Sequence, residues 1–295
     1  MPAFGHRSTI RARVTVRRQF VVTVVCLRVY STSSYTRDNH LHPDGTGRLL
    51  RAIPRFAHSG GLGEGACWQA LRQDIYISLT RSVAPSFWLE LFDQSSAFTF
   101  RDDGACANVV VLLFAQILRL TYSTGDHDNS GGWARFRADV EACNDRRRRL
   151  IQPIYYEDFD VAANRPIPVV HMISPPQVAA MQYYHACKIF LLMYAPEAES
   201  LTGFSAAKQR RTLERDITVH LVEIIGLAES NPFVEDANFT AMHLLRVAGY
   251  CITNSVQRQH VLSYLKRVQK TMGWSTVPTK DMLEEQWNDL DWPND

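Results

Sequence analysis

ACWQALRQDIYISL, residues 66–79, is the stretch on which the fold turns. Its apolar residues Trp68, Leu71, Ile75 and Leu79 recur at spacings of three and four, which places them on one face of an α-helix, while Gln69, Arg72 and Gln73 point elsewhere. A helix with one apolar face must bury it against a neighbour, so the rest of the chain has to supply further helices or a sheet. Arg72, Gln73 and Asp74 read as polar contacts within the resulting bundle, not as a catalytic set.

Working outward toward the C-terminus, helix follows helix. Ala105 to Tyr122 contains VVVLLFAQILRL, apolar on almost every side, as a helix surrounded by others must be. Asn108, Gln116 and Arg119 within it make it a poor membrane span. Trp133 to about Leu150 places Trp133, Phe136, Val140 and Cys143 on one face and closes with Arg146 to Arg149, cations that suit a helix C-terminus, with an import or acidic-partner patch as the functional alternative. IQPIYYEDFDVAANRPIP then reads as an extended, proline-punctuated connector.

Ser174 as a cap and Pro175 at the first position open a helix running through VAAMQYYHACKIFLLMY to Pro196. Another begins near Ser205, with Leu213, Ile217, Leu221, Ile224 and Ala228 as its stripe and Asn231–Pro232 as its stop. Ala237 to Ile252, a helix after Ser255 ending at Gly273, and a short last helix marked by Leu283, Trp287 and Leu290 complete the count. The expectation is an all-α, bundle-like domain of seven or eight helices, with no strand.

Working outward toward the N-terminus, the chemistry changes. Residues 1–65 carry ten Arg, no Lys and only Asp38, Asp44 and Glu64, a local charge of +7 that leaves −5 for the rest of a chain of net charge +2. A mildly acidic body does not attract phosphate backbones through its overall field. Residues 1–37 hold no acid and are rich in Arg, Ser and Thr, the composition of a mitochondrial presequence or of a disordered basic tail. HPDGTG and SGGLGEG read as a flexible linker, so residues 1–61 are expected to be a leader and linker and residues 62–295 the folded domain. Gly61, Gly63 and Gly65 lack the preceding strand and following GK[ST] of a phosphate-binding loop.

Reactive motifs are scarce. Cys26, Cys67, Cys106, Cys143, Cys187 and Cys251 lie tens of residues apart with no CxxC pair, which reads as buried thiols and no zinc site. The acids Glu157, Asp158 and Asp160 sit in the connector and read as a solvated loop; Asp126, His127 and Asp128 sit in a Ser/Gly turn without distant partners to close a metal site. His185, in YYHACK, reads as a hydrogen-bonded core imidazole with no Asp or Cys placed to orient it. There is no GxSxG, HExxH, P-loop or kinase signature, so no catalytic, cofactor-binding or metal residue is assigned and no enzyme is expected.

Several phrases, taken in order, resemble the fungal-specific regulatory domain of Zn2Cys6 zinc binuclear cluster transcription factors: the opening LRQDIYISL, ANVVVLLFAQILRL, NDRRRRLIQPIYY, PPQVAAMQYYHACKIFLLMYAP, LAESNP with NFTAMHLL, VLSYLKRVQKTMGWST and LEEQW. Together they span about residues 66–292. The resemblance implies an all-helical regulatory domain acting in the nucleus, often as a homo- or heterodimer with another regulator, with metabolic or secondary-metabolite genes as targets in some members. The family's six-cysteine cluster and its linker have no counterpart here. The expectation is therefore a truncated regulator with no cofactor of its own, with zinc only if a missing N-terminal cluster exists, DNA contact only indirect, an unidentified effector and no membrane. The alternative is a helical enzyme or small-ligand binder carried to mitochondria by the basic leader.

If residues 66–79 organise the core, Trp68→Ala or Ile75→Ala lowers stability by about 2–5 kcal/mol, the usual cost of a large-to-small change at a buried site. Denaturant unfolding checks this, and an unchanged midpoint in both variants would make the helix peripheral.

Overall fold

The computed structural model describes residues 54–58, 60–123, 130–195 and 202–291. Eight α-helices lie among them: α1 Gly61–Arg81, α2 Asp103–Tyr122, α3 Ser130–Leu150, α4 Pro175–Tyr194, α5 Gly203–Ser230, α6 Asp236–Ala248, α7 Ser255–Met272 and α8 Val277–Leu290. The helical expectation holds in number and order. The strandless one does not, because Tyr155–Glu157 (β1) and Val169–His171 (β2) pair antiparallel, with Tyr156 opposite Val170.

α1 buries the four residues that predicted it, with Leu71 and Ile75 wholly inaccessible, and Trp68 packs its ring 4.4 Å from that of Phe92. It starts five residues before Ala66, so the glycines read as a linker form its first turn, entered through Gly60 and Gly61 at φ 69° and 62°, values that side-chain-bearing residues rarely adopt. Glu64 explains why glycine-rich sequence is helical here. Its side chain is 3% exposed, yet one carboxylate oxygen accepts from Ser95 Oγ, Ser96 N and Ser96 Oγ and the other from Gly60 N. Burial alone would raise its pKa, but the hydrogen bonds from Ser95, Ser96 and Gly60 outweigh that and hold it below the ordinary glutamate value. A depressed folded pKa means that this contribution is present above the unfolded value and is lost as pH falls through the folded one. Farther along the same helix, Asp74 accepts from Ser86 Oγ at 2.8 Å and Phe87 N at 3.0 Å. The two carboxylates thus fasten the segment between α1 and α2, whose Phe87, Leu89 and Phe92 are buried. Phe56, in a short 3₁₀ turn at Pro54–His58, is also in the core.

α2 and α4 form the centre of the bundle. Phe114 of α2 meets Tyr183 and Phe190 of α4 edge-on, at 5.8 and 5.2 Å between ring centres. By length and composition α2 alone among the described residues would suffice to cross a membrane, but 56% of that window is buried within the bundle. Ser174 precedes α4 as read, with Pro175 in its first turn, but its hydroxyl makes no cap: it donates to Asp103 at the start of α2. α5 starts two residues before Ser205, and its stripe is buried from Ile217 to Ala228. Asn254 caps α7 through its side chain, and Gly273 ends it at φ 72°. Leu283 and Trp287 of α8 are buried, whereas Leu290 is 55% exposed, so the last helix turns only part of its expected face inward.

The β-ribbon was hidden because three-residue strands are too short to show an alternation. Its anchor lies at the end of α5: Asn231, read only as a helix stop, is fully buried, accepts from Met172 N and donates to Val170 O and Leu227 O. The three acids of this segment belong to the ribbon and its turn. Glu157 pairs with Arg165 at 2.5 Å, Asp160 and Arg165 exchange backbone hydrogen bonds, and Asp158 O accepts from Arg165 Nε. The expected side-chain roles of Arg146–Arg149 and of Asp126, His127 and Asp128 lie outside the described residues.

Gly226 of α5 lets the ribbon come this close, since a Cβ there would sit 2.4 Å from the Pro168 carbonyl oxygen. Gly226→Ala is expected to destabilise by about 1–3 kcal/mol, the cost of overpacking a filled site. Thermal unfolding would show it; an unchanged or raised midpoint would mean that the ribbon yields freely.

Candidate functional site

One side of α1 faces a cleft of about 230 Å³ walled by α1, α2, α4 and α6. From α1 come Gln69, Arg72 and Tyr76, one turn apart on the flank beside the buried stripe; from α2, Asn108; from α4, Tyr183; from α6, Asp236 and Thr240. Arg72 Nη2 donates to Asn108 Oδ1 at 2.9 Å, and the Tyr76 and Thr240 hydroxyls share a hydrogen bond at 3.1 Å. His243 backs the wall, stacked on the Tyr76 ring at 4.7 Å, with Nδ1–H donating to Phe239 O. Its burial lowers its pKa to about 4, so it is neutral at physiological pH.

Two features of the cleft are chemically unspent. Among the described residues neither Arg72 nor Asp236 has an ion-pair partner, although both border the same opening. Burial raises the Tyr76 pKa, with Asp236 adding to the rise and Arg72 opposing it, so this hydroxyl feels both charges. The Tyr183 hydroxyl, in a residue 2% exposed, neighbours the Tyr76 and Thr240 hydroxyls without making a hydrogen bond of normal geometry. Such a buried hydroxyl costs free energy unless something satisfies it.

His185 lies elsewhere. It meets His220 of α5 with 3.0 Å between their Nδ1 atoms, and burial, aided by Lys188, lowers the His220 pKa to about 4. Neither imidazole lines the cleft. The buried thiols do not fit a zinc site. Cys67, Cys187 and Cys251 stand on separate elements, and burial moves all three pKa values up, Cys67 to about 12 and Cys251 to about 11, opposite to the thiolate form a metal requires. No group of three or more His, Cys, Asp or Glu side chains among the described residues is placed to hold a metal ion. The cleft residues were missed in the sequence because they come from four helices spread over residues 69–240; only the i, i+3, i+7 spacing of Gln69, Arg72 and Tyr76 marked a polar flank.

The profile of the fungal specific transcription factor domain matches residues 5–294, beginning upstream of the stretch from which the resemblance was traced and taking in the Arg-rich segment. A 116-residue stretch is 26% identical to Transcription activator AMTR1 of Alternaria alternata, covering 38% of this chain and 15% of that protein. The chain thus aligns with less than a fifth of the curated relative's length. No solved structure matches.

Proposed function

The chain belongs to the fungal-specific transcription factor domain family, and from that premise we propose that it works in the nucleus by docking against another regulator, as a homodimer or heterodimer. It is a transcription-regulator-like protein that carries the family's regulatory domain, built as an eight-helix bundle among the described residues. The observation that carries the proposal is the length of the family match, nearly end to end, on a chain that folds through helix packing.

The charge distribution supports an indirect relation to DNA. The segment after residue 65 has net charge −5, and specific duplex readout needs base contacts positioned by phosphate-binding cations. With Cys67, Cys187 and Cys251 buried and their pKa values raised by that burial, the chain would rely on a zinc-cluster module from a partner or from sequence outside it. Its exposed apolar side chains, among them Phe204 at 83% and Ile173 at 69%, provide surface that a protein partner would cover.

Tethering the full chain to a heterologous DNA-binding module in front of a reporter tests this, together with localisation of a tagged copy. The expected result is nuclear accumulation and a reporter output that changes only when the chain is tethered. Mitochondrial import with an unaltered reporter would overturn the proposal and favour the reading of residues 1–37 as a presequence.

A further inference from the structure

The cleft beside α1 has walls of opposite charge and no internal partner for either charge. Arg72 stands on one side, steadied by Asn108 but without a carboxylate among the described residues; Asp236 stands on the other, exposed at the rim, without a cation. The same cleft is lined by Tyr76, whose hydroxyl is engaged with Thr240, and by Tyr183, whose buried hydroxyl lacks a hydrogen bond of normal geometry. A solitary anion would be drawn to Arg72 and repelled by Asp236, and a solitary cation would meet the reverse. A molecule carrying both charges satisfies both walls.

The backbone adds to the pull on the anionic end of such a molecule. The cleft is bordered by the first turns of α2, α4 and α6, whose positive dipole ends favour negative charge. Those turns have few N–H groups to offer, however: Ala105 N is bound by Asp102 Oδ1, Ala237 N by Val234 O, and Pro175 and Pro176 have none. Arg72 is the cationic side chain of the lining, which assigns the carboxylate end of a ligand to it and leaves Tyr183 to satisfy a further polar atom. The volume, about 230 Å³, lies below the roughly 300–1,000 Å³ usual for drug-sized ligands and suits a metabolite of a dozen or so heavy atoms.

We propose that this cleft is a binding site for a small zwitterion of the α-amino-acid type, its carboxylate held by Arg72 and its ammonium facing Asp236, with Tyr183 as a positioning hydrogen-bond partner. The proposal concerns what occupies the cleft and holds whether or not the chain docks on another regulator, so a silent reporter leaves it standing.

Isothermal titration of the full chain with each free L-amino acid, paired with its des-amino acid and its decarboxylated amine, tests it. The expected result is saturable 1:1 binding of at least one amino acid, with both counterparts binding at least about tenfold more weakly, a difference of about 1.4 kcal/mol. Arg72→Gln should abolish that binding. Asp236→Asn, at an exposed position, should narrow the gap between the amino acid and its des-amino counterpart while unfolding stays cooperative. Tyr183→Phe, which keeps the ring in the core, should weaken binding while unfolding stays cooperative. Binding of no amino acid in the panel, equal binding of an amino acid and its des-amino form, or an affinity untouched by Asp236→Asn would each overturn the assignment.

Discussion

Two buried carboxyl side chains on the inward flank of one helix constrain the rest of this structure. α1 must bury Trp68, Leu71, Ile75 and Leu79, and doing so carries Glu64 and Asp74 out of water with them. A buried carboxylate without donors costs several kcal/mol, so donors have to be brought to it. The segment between α1 and α2 does this: Ser95 and Ser96 close on Glu64, Ser86 and Phe87 N close on Asp74, and Phe92 between them falls against Trp68. The apolar stripe and the two carboxylates act together, because neither can be buried without the other.

The same helix leaves its other flank for the cleft. With the carboxylates committed to one side, Gln69, Arg72 and Tyr76 point toward α2, α4 and α6, where the Arg72 charge is met by an amide and not by an acid. Elsewhere in the bundle some charges are paired, as Arg119 is with Glu90, Lys188 with Glu141 and Arg258 with Asp291. Surface pairs of this kind contribute little to stability. What sets the cleft apart is that a cation, an acid and a buried tyrosine hydroxyl line one opening.

How much of this was legible in the sequence depends on distance along the chain. Helices announce themselves through the i, i+3, i+4 recurrence of their apolar residues, so α2 and the Ile217–Ala228 stripe of α5 could be read directly, as could the stop at Gly273. The start of α1 was not readable, because the hydrogen bonds that make GLGEG helical come from Ser95 and Ser96, about thirty residues later. The ribbon was not readable either, because its anchor Asn231 looks in sequence like any helix-ending asparagine. The cleft needs four helices before it exists. Long-range polar contacts carry no period, and a single sequence shows the residues without showing what they meet.

The dependence of the bundle on the α1 carboxylates is tested most directly by amide hydrogen exchange at the two loop N–H groups they bind, Ser96 and Phe87. If the loop is fastened as described, both amides exchange only through the opening that exposes the helical core, with protection close to that of the amides of α4, and Glu64→Gln weakens Ser96 first. Exchange of both amides at the rate of a freely exposed loop, with α4 still fully protected, would contradict the account and show that the core holds without them.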